Sequence, residues 1–141
     1  RWFAPILSFT TEEIYKLIYN NNNSIHLESF LNYPEKFKNN QLNQKWIDLI
    51  KIRNICNISI EEKRATKEIG SSLEAKVKIN LDKKLSEITE NVDFSELCIT
   101  SCSEVIYKEN IETSAETTKA MGTKCPVCWK ITEKACPRHS E

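Results

Sequence analysis

Apolar positions recur with two different periods along the chain. In the first segment, Ile14, Leu17 and Ile18 have helical spacing, and the Asn-rich run at 20–23 favours a turn that ends the helix. Thr10 followed by Glu13 reads as a capping box, with residues 1–8 as the end of a preceding helix. A connection over 24–40 contains Tyr33-Pro34, and proline disfavours helix at the residue before it. A long helix is then expected over 42–68. Leu42, Trp46, Leu49, Cys56 and Ile60 form one stripe, and Ile47, Ile50 and Ile58 widen it. An apolar surface that broad predicts a helix inside a bundle. Gly70 is the expected residue just past its end, after Lys63, Arg64 and Lys67.

Beyond Gly70 the period changes. Ala75, Val77 and Ile79 alternate with Glu74, Lys76 and Lys78, as in a half-buried strand. Leu81, Leu85 and Ile88 predict a short helix, 97–100 and 104–107 two short strands, and 111–119 a further strand. The expected class is α+β: part of a helical bundle over 1–70, a small α+β unit over 71–120, and a compact terminal segment over 121–141.

The chain opens at Arg1, inside the apolar run Trp2-Phe3-Ala4-Pro5-Ile6-Leu7, which predicts a fragment of a longer protein. Hydrophobic residues at 40% and charged residues at 28% fit a folded globular chain rather than a disordered one. No run approaches the roughly 18 to 20 apolar residues of a membrane span, so no membrane partner is expected. Net charge is zero but uneven. Residues 71–120 carry six Lys/Arg against ten Asp/Glu, whereas 1–70 carry ten against eight and 121–141 four against two. A phosphate-bearing partner would therefore meet the ends.

The clearest chemistry is terminal. Cys125, Cys128, Cys136 and His139 form C-x2-C-x7-C-x2-H. Each two-residue gap lets a tight turn aim two donors at one ion, with backbone N–H groups turned toward sulfur. Three thiolates and one imidazole complete a tetrahedral shell suited to a single structural zinc with no open position for a catalytic water. The segment has almost no apolar core, so metal binding would supply its folding energy. The alternatives are unrelated cysteine pairs or redox thiols. Cys98 and Cys102 are expected to be buried as small apolar residues, and His26 is expected in a loop. One metal site beside reduced thiols predicts a reducing, cytoplasmic compartment.

Three blocks occur in one order. Residues 2–15, WFAPILSFTTEEIY, resemble the helix pair of the anticodon-binding domain in class I synthetases for aliphatic amino acids. Residues 69–75, IGSSLEA, resemble the junction after that domain in isoleucyl-tRNA synthetases, and 124–130, KCPVCWK, their C-terminal zinc knuckle. LCITS at 97–101 fits the segment between. The family's second ligand pair is commonly Cys-x2-Cys after a longer insert, whereas here the insert is seven residues and ends in a Cys–His pair.

The resemblance implies a monomeric enzyme that joins isoleucine to its tRNA with ATP. ATP and magnesium would be handled by a catalytic part whose signature motifs are not in these residues. This portion would be noncatalytic, binding the anticodon end of isoleucine tRNA alongside the rest of the synthetase chain. Unstacked bases are read by aromatic or guanidinium stacking. The expected RNA contacts are Trp129 as a stacking platform, with Lys124, Lys130 and Arg138 around it. On the long helix they are Arg64, Lys67 and Arg53, the last either reaching RNA or pairing with a buried carboxylate. A self-standing zinc-stapled module that binds nucleic acid or protein is the competing reading.

Overall fold

The computed structural model describes residues 1–20 and 22–139. Asn21, inside the expected turn, and Ser140 and Glu141, the last two positions of the terminal segment, lie outside the described residues. The chain forms two compact units, Arg1–Asn39 and Asn40–Glu141.

The first unit is built on α1 (Ser8–Tyr19). The expected helix end over 1–8 is not there: residues 2–7 form turns, closed by the Leu7 N–H on the Phe3 carbonyl at 2.8 Å, and Ser8 already opens α1. The capping box is also corrected. The helix starts upstream of Thr10 with Leu7 as its cap, and the Thr11 hydroxyl donates back to the Leu7 carbonyl at 2.8 Å. Asn20 ends it in the left-handed conformation, with its N–H on the Lys16 carbonyl, as asparagine tolerates. Glu12 then ties the connection to α1. Its Oε2 accepts from the Ser24 hydroxyl and the Ile25 N–H at 2.9 and 3.0 Å. His26 sits in a single 3₁₀ turn with Nε2 3.2 Å from the Ser8 carbonyl, a loop residue as expected.

The second unit packs α2 (Asn40–Ala65) on a three-stranded sheet. β1 (Ala75–Asp82) is central, parallel to β2 (Cys102–Lys108) and antiparallel to β3 (Ser114–Lys119). Ala75, Val77, Ile79 and Leu81 are all at 0% exposure, the buried half of the predicted alternation. They meet Leu49, Ile52, Cys56 and Ile60 of α2 in one core. Complete burial of each larger side chain contributes about 1.5–3 kcal/mol. The Ser59 hydroxyl donates to the Thr117 hydroxyl at 2.9 Å, a buried polar tie from α2 to β3. The change of period at Gly70 thus falls inside this unit. The broad apolar surface of α2 is covered on one side only, since Ile47, Ile50 and Ile58 stay exposed.

Two helix ends depart from expectation. α2 stops at Ala65, and Lys67, not Gly70, takes the left-handed position at φ 60°. The Glu68 N–H reaches the Lys63 carbonyl and the Lys67 N–H the Arg64 carbonyl at 3.1 and 3.0 Å, the paired bonds of a Schellman end. The predicted strand at 97–100 is instead the end of a short helix. Leu81 belongs to β1, and the crossover from β1 to β2 carries α3 (Ser86–Thr89) and α4 (Phe94–Leu97). Asp93 caps α4, its carboxylate accepting from the Ser95 and Glu96 N–H groups at 2.8 and 3.4 Å. α4 closes with a second Schellman pair, Thr100 N–H on Ser95 and Ile99 N–H on Glu96, with Ile99 left-handed at φ 56°. Among the described residues no helix is long and apolar enough to cross a membrane.

Candidate metal centre and its aromatic rim

The terminal segment is a two-stranded hairpin, β4 (Thr123–Lys124) and β5 (Ile131–Thr132), whose tip carries the first cysteine pair. Gly122 leads into it at φ 122°, where a β-carbon would collide with the Thr132 backbone, so only glycine fits. The Cys125 N–H donates to the Lys130 carbonyl at 2.9 Å and the Trp129 N–H to the Cys125 carbonyl at 3.0 Å. That turn brings Cys125 and Cys128 together, and the second turn does the same for Cys136 and His139.

The donor atoms of Cys125, Cys128, Cys136 and His139 all lie within 4.8 Å of one another. Cys128 and Cys136 sulfurs are 3.7 Å apart, and His139 Nδ1 is 3.6 Å from the sulfurs of both Cys125 and Cys136. A tetrahedron with zinc–sulfur bonds of about 2.3 Å has edges of about 3.8 Å. The Cys128–Cys136 sulfur separation matches that figure. The two sulfur–nitrogen separations are slightly shorter, as a shorter metal–nitrogen bond requires, and the donor set is a soft one of the kind zinc selects. Cys125 is buried, while Cys128 and Cys136 are half-buried and His139 exposed. The Cys128 and Val127 N–H groups donate to the Cys125 sulfur and lower its thiol to about 6. A thiol so placed is a thiolate at neutral pH, the form a metal binds.

The remaining cysteines stand apart. Cys56 and Cys98 are buried in the core, and Cys102 is half-buried. A shared hydrogen bond with Cys98, then burial, pushes the Cys56 thiol up, which keeps it an uncharged packing group.

Trp129 is 59% exposed on the metal cluster's rim, with a left-handed backbone at φ 64°. Lys124 Nζ lies 5.9 Å from its ring centroid. The other two expected cations are engaged. Lys130 Nζ and Arg138 NH2 both bond Glu96 Oε1, at 2.6 and 2.8 Å. Lys130 and Arg138 hold the Glu96 carboxyl below the usual range, Lys130 with the larger effect. Nothing local in the sequence singles out Glu96, which lies 34 and 42 positions from these partners. Asp93 differs in having a local signal, since Asp-x-Ser-Glu at 93–96 is a helix start that competes with the strand-like apolar run at 97–100.

The residues on α2 lie elsewhere in the unit. Arg53 donates from Nε to the Leu97 carbonyl at 2.9 Å, so its local partner is a backbone oxygen, not a buried carboxylate. It lines a groove of about 720 Å³ with Leu42, Trp46, Leu49 and Ile50. Arg64 pairs with Glu61 at 2.7 Å, and Lys67 is exposed at the helix end. Glu74 shapes the junction, accepting the Gly70 N–H at 3.0 Å.

Residues 1–79 match the family model described as the anticodon-binding domain of tRNA ligase. The isoleucine–tRNA ligase of Pelagibacter ubique is 62% identical over 141 residues, which is 100% of this chain and 16% of that relative's length. That of Agrobacterium fabrum is 36% identical over 142 residues, 93% of this chain and 15% of the relative. That of Bartonella henselae is 35% identical over 143 residues, 94% and 15%. The chain spans about a sixth of the length of these curated relatives. With the anticodon-binding match over its first half and isoleucine–tRNA ligase relatives aligned along nearly all of it, the chain belongs to the isoleucine–tRNA ligase family, as a C-terminal portion of such an enzyme.

Proposed function

We propose that this chain binds the anticodon end of isoleucine tRNA for a cytoplasmic ligase that joins isoleucine to that tRNA with ATP. The portion itself is noncatalytic. ATP and magnesium belong to the catalytic part of the enzyme, outside these 141 residues. Its contribution is positional: contacts far from the chemistry hold the acceptor end at the active site.

Cys125, Cys128, Cys136 and His139 are the residues that would hold one structural zinc, which supplies the fixed shape of the segment when bound. The observation that carries the reading is the exposed indole of Trp129 beside Lys124, raised on a cluster of four converging donors. An indole accepts an unstacked base on its face, and an adjacent ammonium neutralises a phosphate. Lys124 is therefore the primary phosphate contact. Lys67 and Arg64 form a second, weaker patch at the end of α2, and Arg53 serves the groove beside Leu97.

Direct titration tests this. The zinc-loaded chain should bind isoleucine tRNA more tightly than an unrelated tRNA. Trp129→Ala should weaken binding by about 1–3 kcal/mol with zinc content unchanged. Equal affinity for unrelated RNA would recast the chain as a general nucleic-acid module, and no RNA binding would leave a protein-interaction role.

A further inference from the structure

We infer that Glu96 is a positioning residue that fixes where Trp129 presents its ring, an inference that rests on Trp129 being the stacking platform. One carboxylate oxygen bonds a residue next to each ligand pair. Lys130 lies just beyond the first pair and Arg138 lies inside the second, at 2.6 and 2.8 Å from Glu96 Oε1. Lys130 is not an ordinary surface lysine, since its side chain is only 16% exposed. The anchor is itself held, because Asp93 caps the helix that carries Glu96.

The next residue along is tied as well. The Ile131 N–H donates to the Ser101 hydroxyl at 2.6 Å, and that hydroxyl donates to the Leu73 carbonyl at 2.5 Å. The two residues following Trp129 are thus fastened to the body of the unit, Lys130 through Glu96 and Ile131 through Ser101. A bound ion would give the four donors their internal shape. The Glu96 and Ser101 ties orient that shape relative to α4 and the sheet. Glu96 itself and Arg138 are exposed, and ion pairs of exposed groups contribute little to stability, so the role of Glu96 is geometric. A ring already held in place loses less freedom when a base stacks on it.

The test is a double-mutant cycle on the zinc-loaded chain titrated with isoleucine tRNA, using Glu96→Ala, Trp129→Ala and the pair. Glu96→Ala should weaken binding by about three- to tenfold at one zinc per chain. That loss should vanish when Trp129 is already alanine, and Glu96→Gln, which keeps an acceptor, should restore part of it. Equal losses in both backgrounds would overturn the inference. So would tighter binding in both, which would mean that Glu96 merely masks two cations. If Trp129→Ala alone leaves binding unchanged, the stacking reading fails, and the positioning claim is then judged on the ring. With Trp2 and Trp46 replaced by phenylalanine, fluorescence anisotropy decay should show faster indole motion in Glu96→Ala. Unchanged motion would overturn it.

Discussion

Two parts of the second unit reach a defined shape by opposite means. Around β1, four consecutive inward side chains sit at 0% exposure and α2 lies over them. In the terminal hairpin, among the described residues, only Cys125 and Ile131 are buried. The first part is held by apolar area removed from water. The second has converging donors, a required glycine and a few hydrogen bonds. Metal coordination is the term able to offset the conformational entropy of a short coreless segment. One perturbation should therefore not unfold both.

The largest expected effect is metal withdrawal. Chelation should release structure worth on the order of 10 kcal/mol in an isolated zinc module. Amide exchange should become fast over 123–139 while 75–82 stays protected, and Cys136→Ala should reproduce the pattern. Equal protection of both stretches after chelation would show that the hairpin needs no ion.

A smaller effect is expected from the other side of the comparison. Ile79→Ala, at the centre of β1, should cost about 2–5 kcal/mol in urea unfolding, with zinc stoichiometry unchanged. Loss of zinc in that variant would mean that the two parts fold as one.

The smallest effect concerns the joint between them. Asp93→Ala should remove about 1 kcal/mol through loss of the α4 cap. The hydrogen bond from the Ser95 side chain is the largest cause of a lowered Asp93 carboxyl, and the capped N–H groups of Ser95 and Glu96 lower it further. A carboxylate depressed by folding stabilises fully above its unfolded value of about 3.9 and loses that contribution as pH falls through the folded value below it. The gap between the native chain and Asp93→Ala should accordingly be full at neutral pH and close in acid. A gap that persists in strong acid would show that the cap is not electrostatic.

Much of the candidate site was legible because its determinants are local. Two-residue gaps between donors dictate turns wherever the segment lies in the fold, so the four donors were readable from spacing alone. The alternation at Ala75, Val77 and Ile79 was equally local and gave β1 directly. The roles of Lys130 and Arg138 were not readable. Both are cations beside a tryptophan, and nothing near them reveals that a carboxylate 34 and 42 positions away occupies them. The end of α2 falls before the expected Gly70 because Lys67, rather than the usual glycine, adopts the left-handed conformation within a pair of backbone bonds. The apolar run at 97–100 misled for a related reason, since Cys98 is buried by a helix end and Ile99 is turned outward.

By itself, the amino-acid order determined the donor set, the buried face of the central strand and the exposed indole's place beside a cysteine, because each follows from contacts within a few residues. Tertiary structure alone decided which charges remain available. Coulombic and hydrogen-bond partners are chosen by distance in space, and only folding brings Glu96 of α4 within 3 Å of Lys130 and Arg138.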